Sequence, residues 1–476
     1  MNFRYIIIIL TALFSVNAAS QTVEQARKLF SDGEYKKAKP AFKRFVKSQP
    51  SNANYNYWYG VCCLMTNDAK EAIAPLQLAT KRKVPSAPYY LGEAYDRLYC
   101  FEEAVDAYQD HIDALVKKKQ PTEEILLLQE KSKQKARMLK GVEEVCIIDS
   151  FMVEKATFLE HYKISEESGK LYAYGEYFNT NDSVGTVYET ELGNKIYYSE
   201  FGADSTQNIL TRNKLLDGWS KGSILPGSIN KEKNANYPFV STDGITIYYA
   251  SDGEGSIGGY DIFVTRYNTS TDGYLNPENV GMPFNSPYND YMYVIDEYNE
   301  LGWFATDRHQ IEDKVCIYVF IPNATKQTYN YEAMDQEQIR KLAQIHSIKE
   351  SWKNKEEVAA ARERLEAAIQ QKPQEKVEYD FSFVINDALT YHDLDDFKSP
   401  QAKELFKKLQ QKEKDYRQQR DKLNEQRKWF SQASVENKAK SSLSLHDLEN
   451  RVLEMYHELK EIEVKTRNTE INHIKK

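Results

Sequence analysis

The sequence predicts a multidomain α and β fold with an N-terminal helical solenoid, a central β-propeller-like domain and a C-terminal helical hairpin with coiled-coil spacing. Three patterns carry this prediction. A block of about fifty residues recurs between Val187 and Pro322, a length typical of four-stranded propeller blades. A shorter repeat lies within residues 22–118, and large apolar residues recur every seven positions after Pro400, as in coiled coils.

A repeat of small and bulky residues predicts stacked helix pairs over residues 22–141. Small residues let antiparallel helices approach closely, and a bulky apolar residue fills the gap to the next pair. The three copies of the pattern are Ala26, Ala38 and Phe42; Gly60, Ala72 and Leu76; Gly92, Ala104 and Tyr108. The spacing resembles tetratricopeptide repeats, and a generic helical bundle is the alternative. A basic helix from Glu123 to Lys140 is expected to cap the solenoid.

The β-domain is expected over residues 145–325, because its repeated segments are rich in Tyr, Val and Ile and are separated by Gly, Asp and Asn. IYYS at 196–199 returns as IYYA at 247–250 and, in degraded form, as GWFA at 302–305. These copies indicate about three blades, which is few for a closed ring.

Two further segments are candidates for completing the β-domain. GKLY at 169–172 is a candidate fourth blade in degraded form. Residues 377–396 contain an alternating pattern, YDFSFVI at 379–385, that is typical of a strand. We therefore expect strands from this segment to return to an edge of the domain.

The blade motifs resemble a known class of repeat. YPFVSTDG at 237–244, IYYASDG at 247–253 and GGYDIF at 258–263 look like the WD40-like repeats of TolB-type propellers. The chain also resembles exported envelope proteins of Bacteroidetes that join tetratricopeptide repeats to such blades, which implies a periplasmic or outer-membrane-associated protein. Many of those proteins end in an OmpA-like peptidoglycan-binding domain. No such domain is found in this sequence, so direct anchoring to the cell wall is not expected.

Residues 1–20 have the pattern of a secretory signal peptide. Arg4 precedes an apolar run from Tyr5 to Phe14, and small residues at 18–20 mark the expected cleavage point. The run is too short for a mature helix that spans a bilayer, and a short membrane anchor or a buried helix is the alternative. The mature chain is therefore expected to be exported without a transmembrane span.

Two helical regions are expected after the β-domain. The first covers residues 334–372, where Ile339, Leu342 and Ile345 recur at helical spacing. The second covers residues 399–476 and is expected to form a coiled-coil hairpin with a break in the Ser-rich segment at 441–444. Its apolar seam is open to three interpretations: packing on itself, on a second copy in a homo-oligomer, or on another protein.

Charge and cysteine content exclude some function classes. With 63 Lys and Arg against 71 Asp and Glu, the chain lacks the basic field that draws proteins to nucleic acid. Five cysteines leave at least one unpaired in an exported chain. Cys146 and Cys316 both lie in predicted strands and would be neighbours if the first strand of the β-domain closed the last blade. A disulfide between them is therefore a hypothesis that depends on strand register.

The sequence contains no pattern that identifies catalysis, a cofactor or a metal. Gly253, Gly255 and Gly258 match G-x-G-x-x-G, but a predicted strand follows them where a dinucleotide site needs a helix. A hairpin loop is the better interpretation. Asp252 and Asp261 flank that loop, and turn-forming roles account for them better than calcium binding does.

Tyr288, Tyr291 and Tyr293 lie at a blade junction and are the candidate interaction surface, because tyrosine supplies apolar area and a hydroxyl at interfaces. The whole pattern favours a non-enzymatic protein–protein interaction scaffold of the cell envelope. Such a scaffold would bind envelope proteins through its solenoid groove and its propeller face, and an outer-membrane or secretion-associated assembly is one setting in which it would act. The alternative is a propeller that binds or hydrolyses glycans or peptides, which would need ionisable groups converging at its axis.

Overall fold

A computed structural model describes residues 21–180, 185–215, 218–231, 233–370, 381, 383–386 and 389–475, with the side chains of 435, 436 and 439 left out. The expected signal peptide lies outside these residues. The chain divides between Gln371 and Lys372 into two compact units. In the described part of the chain, none of the helices has both the length and the apolar character needed to cross a membrane.

Seven helices form the start of the first unit. They are α1 (Val23–Ser31), α2 (Tyr35–Ser48), α3 (Ala53–Met65), α4 (Ala69–Lys81), α5 (Ala87–Arg97), α6 (Phe101–Lys117) and α7 (Glu123–Lys140). The small residues of the repeat lie where two helices of a pair touch. A Cβ atom added to Gly60 would lie 2.6 Å from Leu76 Cγ, and one added to Gly92 would lie 2.6 Å from Tyr108 Cε1. The close approach expected from the spacing is therefore present.

Three antiparallel sheets follow the helices. Their strands are β1 (Cys146–Glu154), β2 (Lys170–Ala173), β3 (Thr186–Glu189), β4 (Lys195–Phe201), β5 (Gln207–Leu215), β6 (Gly218–Trp219), β7 (Ser223–Ile224), β8 (Ala235–Val240), β9 (Thr246–Ser251), β10 (Asp261–Asn268), β11 (Gly273–Tyr274), β12 (Glu278–Asn279), β13 (Asp290–Asp296), β14 (Leu301–Thr306) and β15 (Lys314–Ile321).

Each sheet corresponds to one copy of the sequence repeat. The strand orders are β2-β3-β4-β5-β6, with β7 on β5; β11-β10-β9-β8, with β12 on β10; and β1-β15-β14-β13. The first strand of the region thus completes the last sheet, as the ring-closing arrangement predicts. The segment at 169–172 is not a fourth blade, because β2 pairs with β3 inside the first sheet. No closed barrel is present among the described strands.

The inner strands of the three sheets surround aromatic side chains from the segment that follows β1. The Phe158 ring lies 5.7 Å from that of Tyr237 and 6.0 Å from that of Tyr291, measured between centroids. Tyr162 packs on Trp303 at 5.8 Å, and its hydroxyl donates to the Met292 carbonyl at 2.8 Å. Apolar packing therefore occupies the centre of the sheet region.

A shared core joins the helices to the sheets. Tyr99 and Phe101 from the α5–α6 corner pack with Leu139 of α7 and with Ile257 and Met282 of the sheet region. Helix α7 therefore links the two regions instead of ending the solenoid with a free polar face. Three more helices in this unit are α8 (Tyr174–Phe178), α9 (Gln336–Gln344) and α10 (Lys355–Gln370), of which the last two occupy the helical segment expected at 334–372.

The disulfide hypothesis is wrong. All five cysteines are free. The strands β1 and β15 do pair, but Cys146 lies opposite Ile321 and Cys316 lies opposite Met152. The register places the two thiols at different points along the strand pair, beyond the reach of a single S–S bond.

The second unit contains a small hairpin and two long helices. Its elements are β16 (Phe383–Asn386), β17 (Leu389–Tyr391), α11 (Pro400–Gln432) and α12 (Val435–Ile474). The strands expected to return to the β-domain pair with each other instead. Phe383 of this hairpin packs on Phe406 of α11 with ring centroids 4.8 Å apart. The hairpin therefore shares a hydrophobic core with the two long helices.

The turn between the long helices lies earlier than the sequence suggests. Helix α12 runs through the Ser-rich segment at 441–444, and the break falls at Ala433 and Ser434. Ser434 accepts a hydrogen bond from the Asn437 amide as an N-cap, which starts the helix there. The two helices pack against each other through residues such as Leu409 and Leu459.

Candidate functional site

A row of aromatic rings connects the first helices of the three N-terminal pairs. We call it the aromatic row, and it consists of Phe30 from α1, Tyr57 from α3, and Tyr90 and Tyr89 from α5. The centroid distances are 6.2 Å from Phe30 to Tyr57, 5.9 Å from Tyr57 to Tyr90 and 5.1 Å from Tyr90 to Tyr89. All four side chains are partly exposed, so the row offers a continuous apolar strip with hydroxyl groups to solvent.

A surface cavity of about 340 Å³ lies at the α1 end of the row. It is lined by Glu24, Arg27, Lys28, Phe30, Ser31 and Trp58. The Arg27 guanidinium stacks over the Trp58 ring, 5.1 Å from its centroid. This contact holds a cation over an aromatic wall, a combination suited to a carboxylate or a carbonyl-rich segment of a ligand.

The other end of the row carries an acidic group. The Tyr89 hydroxyl donates to Glu93 Oε1 at 3.3 Å. Glu93 Oε2 is buried, and among the described residues it has no hydrogen-bond partner. Burial raises the pKa of Glu93, while the nearby Arg97 opposes that rise. The row therefore has the cations Arg27 and Lys28, together with Glu24, at its α1 end and a largely buried carboxyl group at its α5 end.

The tyrosine hydroxyls in the row remain protonated donors at neutral pH. Burial raises the pKa of Tyr57 to about 12 and that of Tyr89 to about 12. The pKa of Tyr90 is also raised by burial. Each ring therefore combines apolar area with a neutral hydroxyl, which suits hydrogen bonding to the backbone of a bound peptide.

The three tyrosines expected to form an interaction surface do not do so together. Tyr288 is 42% exposed, whereas Tyr291 and Tyr293 are buried. The Tyr291 hydroxyl donates to Asp307 Oδ2 at 2.8 Å, and the Tyr293 ring packs 4.8 Å from that of Tyr248. These are packing roles, so the expectation is wrong for two of the three residues.

The glycine-rich loop is a connection between strands, as expected. Residues 252–260 join β9 to β10. Asp261 is buried and accepts hydrogen bonds from the Ile257 and Gly258 amides at 3.1 and 3.0 Å. Asp252 accepts from the Asn234 amide at 2.9 Å. Asp261 thus stabilises the turn of this loop, and Asp252 links the loop to the segment that enters β8. The described residues include no group of three or more His, Cys, Asp or Glu side chains placed to hold a metal ion.

The aromatic row was missed at the sequence level, although the repeat contained a signal for it. Tyr57 and Tyr89 each lie three positions before the first small residue of their repeat, Gly60 and Gly92. Equivalent positions in stacked repeats occupy the same face. A comparison of those positions would have predicted a shared tyrosine surface.

Comparison with known proteins supports the interpretation of the N-terminal helices. Residues 23–88 match the tetratricopeptide repeat family model. The N-terminal region contains tetratricopeptide repeats. A search of curated proteins gave no match.

Solved structures similar to this region are also tetratricopeptide domains. One is the first such domain of Spaghetti (RPAP3) bound to the HSP90 peptide SRMEEVD, with 20% identity over 23% of this chain and 86% of that one, and a TM-score of 0.21. Another is the Sgt2 domain from Aspergillus fumigatus, with 20% identity over 25% of this chain and 83% of that one, and a TM-score of 0.22.

Proposed function

We propose that this chain is a non-enzymatic protein–protein interaction scaffold of the bacterial cell envelope, which holds a segment of a partner protein along the aromatic row. The observation that carries the proposal is the continuity of four partly exposed rings across three helix pairs, from Phe30 to Tyr89. Tyrosine is enriched among the residues that dominate binding energy at interfaces. The tetratricopeptide repeats of residues 23–88 agree with such a role.

The packing at the centre of the sheets favours a scaffold over a glycan- or peptide-processing propeller. The alternative requires ionisable side chains that converge in a deep pocket. The rings of Phe158, Tyr162 and Trp303 occupy the corresponding space. We regard the three sheets as an open propeller-like array that supports binding surfaces.

The envelope location is part of the same proposal. The basis is the signal-like pattern at residues 1–20 together with the resemblance to exported Bacteroidetes proteins. A role in an outer-membrane or secretion-associated assembly would place the aromatic row among partner subunits. Fractionation of cells that express the full chain should then recover the mature protein with the periplasm or the outer membrane, and recovery in the cytoplasm would refute the location.

Affinity capture with a variant of the aromatic row tests the scaffold function. The full chain and its Tyr57→Ala/Tyr90→Ala variant are used as baits on envelope extracts. Truncation of a central interface tyrosine costs about 2 kcal/mol, or about 30-fold in affinity. We expect a defined set of proteins to be lost from the variant. Tyr57→Phe is the matched control, because it keeps the ring and should keep most of the captured set.

Two results would contradict the proposal. One is an unchanged set of captured proteins with the double alanine variant, provided that circular dichroism shows an intact helical region. The other is specific saccharide binding by the full chain without any stable protein partner.

A further inference from the structure

Three turns at one end of the sheets expose large apolar side chains. The turns join β3 to β4 (190–194), β8 to β9 (241–245) and β13 to β14 (297–300), which are equivalent positions in the three sheets. Their apolar side chains are Leu192, 75% exposed; Ile245, 41% exposed; and Tyr298, 64% exposed. We call this surface the turn face.

Hydrogen bonds place the three turns beside one another. The Tyr188 hydroxyl, at the end of β3, donates to the Val240 carbonyl at the end of β8 at 2.9 Å. The Thr242 hydroxyl donates to the Glu297 carboxylate. The first turn thus adjoins the second, and the second adjoins the third, so the apolar tips belong to one surface.

Polar side chains of the second and third turns form hydrogen bonds that fix their conformation. Asp243 Oδ1 accepts hydrogen bonds from the Ile245 and Thr246 amides at 2.9 and 2.8 Å. Asn299 Nδ2 donates to the buried Asp296 carboxylate at 2.7 Å. A preorganised surface loses less entropy when it binds a partner.

The apolar tips have no role in forming these turns. Tight turns are favoured by Gly, Asn and Asp, and each turn already contains such residues. Leu192 and Tyr298 lie mostly in solvent, and Ile245 is 41% exposed, so each leaves apolar area in contact with water in the isolated chain. Exposed apolar groups repeated at equivalent positions therefore indicate a contact surface.

Acidic side chains predominate among the residues of the three turns, but two arginines lie beside them. The Arg364 guanidinium of α10 donates to the Asn299 carbonyl at 3.0 Å and lies 3.8 Å from the Glu300 carboxylate. Arg266 of β10 lies opposite Thr246, next to the second turn. The sequences of the three turns are TELGN, STDGI and EYNE, which include Glu191, Asp243, Glu297 and Glu300 and contain neither Lys nor Arg. The exposed carboxylates of Glu191 and Glu297 beside the apolar tips complement a partner with apolar side chains flanked by cations. The same carboxylates disfavour an anionic lipid surface.

At the opposite end of the second sheet, helix α7 packs against the loop that joins β9 to β10. The loop at 252–260 leaves β9 at the end away from the turn face, and there Gln134 of α7 donates to the Gly255 carbonyl at 2.6 Å. The turn face is thus separated from the helical repeats by the length of the strands.

We propose that the turn face is a second docking surface, distinct from the aromatic row, for a protein segment with apolar side chains flanked by Lys or Arg. Leu192, Ile245 and Tyr298 supply the apolar contact, and Glu191 and Glu297 supply the charge. This extends the proposed scaffold function to two simultaneous partners.

A pair of synthetic amphipathic peptides tests the assignment with the full mature chain. One peptide is built from Leu and Lys and the other from Leu and Glu, and binding is measured by fluorescence anisotropy. We expect the Leu/Lys peptide to bind, with an affinity that falls as salt rises. The Leu192→Ser/Ile245→Ser/Tyr298→Ser variant should weaken binding at least about tenfold.

Two control variants separate this surface from others. Ile311→Ser changes a side chain that is 71% exposed in the turn between β14 and β15, at the far end of the third sheet, and should leave binding unchanged. Tyr57→Ala/Tyr90→Ala should also leave binding of the Leu/Lys peptide unchanged. This control distinguishes failure of the proposal for the aromatic row from failure of the proposal for the turn face. If the triple variant does not fold, Glu191→Gln/Glu297→Gln tests the same surface and should reduce the salt dependence.

Several outcomes would overturn the assignment. Equal binding of the Leu/Lys peptide to the triple variant is one, and equal binding of the Leu/Glu peptide to the unaltered chain is another. An equal loss with Ile311→Ser would show that any exposed apolar residue contributes. Binding to phosphatidylglycerol vesicles that the triple variant abolishes would identify a lipid surface as the occupant.

Discussion

Removal of the buried Arg308 cation should be among the most destabilising single changes in the sheet region. Arg308 and Asp290 are fully buried, with the guanidinium Nη2 2.7 Å from Asp290 Oδ1. The same guanidinium donates to the carbonyls of Pro283 and Phe284 at 2.7 and 2.6 Å. It therefore ties the end of β14 to the loop that enters β13.

The size of the effect follows from what Arg308→Met leaves behind. Asp290 Oδ1 and two carbonyls lose the guanidinium as a donor inside the core, and the Ser286 amide and hydroxyl still donate to Asp290 Oδ2. Loss of one partner from a buried ion pair costs about 3–5 kcal/mol. Burial raises the pKa of Asp290 while Arg308 opposes that rise, so the variant should favour the neutral acid. Adding Asp290→Asn should recover part of the loss, because a neutral amide replaces the uncompensated charge.

Urea unfolding followed by circular dichroism measures these changes in the full chain. The control is Lys353→Met, which removes an exposed pair with Glu144 and should change the free energy of unfolding by less than about 1 kcal/mol. The argument is refuted if Arg308→Met costs no more than the control, or if the losses of the two single variants add fully in the double variant.

Three further predictions concern the helical repeats and the thiols. Gly92→Ala should lower the free energy of unfolding by about 1–3 kcal/mol, because the added Cβ would overlap the Tyr108 ring. Gly141→Ala is the control. Its Cβ would meet only backbone oxygens at 3.8 Å or more, so its cost should be smaller. A hydrogen bond from Lys43, followed by one from a neighbouring tyrosine, lowers the pKa of Glu71 to about 2, below its unfolded value of about 4.3. The stability that Glu71 contributes is therefore present above about pH 4.3 and is lost as the pH falls towards 2. In the Glu71→Gln variant, the free energy of unfolding should depend less on pH over that interval. Because all five cysteines are free, added dithiothreitol should leave the melting temperature of the mature chain unchanged.

Repeat structure made much of the first unit predictable. Gly60 and Gly92 indicate helix contacts because a close approach excludes a larger side chain. The recurrence of IYYS-like segments at 196–199 and 247–250 marks the central strand of successive sheets. Such patterns are local, and each copy supports the others, so the order of the elements follows from them.

Register and pairing partners were harder to infer, because they depend on contacts distant in sequence. The strand pair formed by β1 and β15 was foreseen, but a one-dimensional pattern does not specify that Cys316 lies opposite Met152. In β13, a register shift between Asp290 and Tyr293 changes which side of the sheet a residue faces. The three tyrosines were chosen for their residue type and their position at a blade junction, and neither property shows that Tyr291 and Tyr293 are buried in β13.

The second unit shows how local signals can compete. The Ser-rich segment at 441–444 suggested a helix end, yet serine is tolerated within a helix when its hydroxyl bonds to a preceding carbonyl. Ser441 Oγ donates to the Asn437 carbonyl at 2.6 Å in this way. A single N-cap at Ser434 then decided the boundary, because it satisfies an otherwise unpaired amide at the helix start.

The contact between the helical repeats and the sheets explains how two binding surfaces would act together. Tyr99 lies in the shared core, so the helices and sheets belong to one compact unit and no flexible linker separates the aromatic row from the turn face. A partner bound at one surface would then be held at a fixed distance from a partner at the other, which raises their effective concentration without an added ordering cost. Loosening the shared core, for example by Phe101→Ala, should therefore reduce simultaneous binding of two partners more than it reduces binding of either one alone.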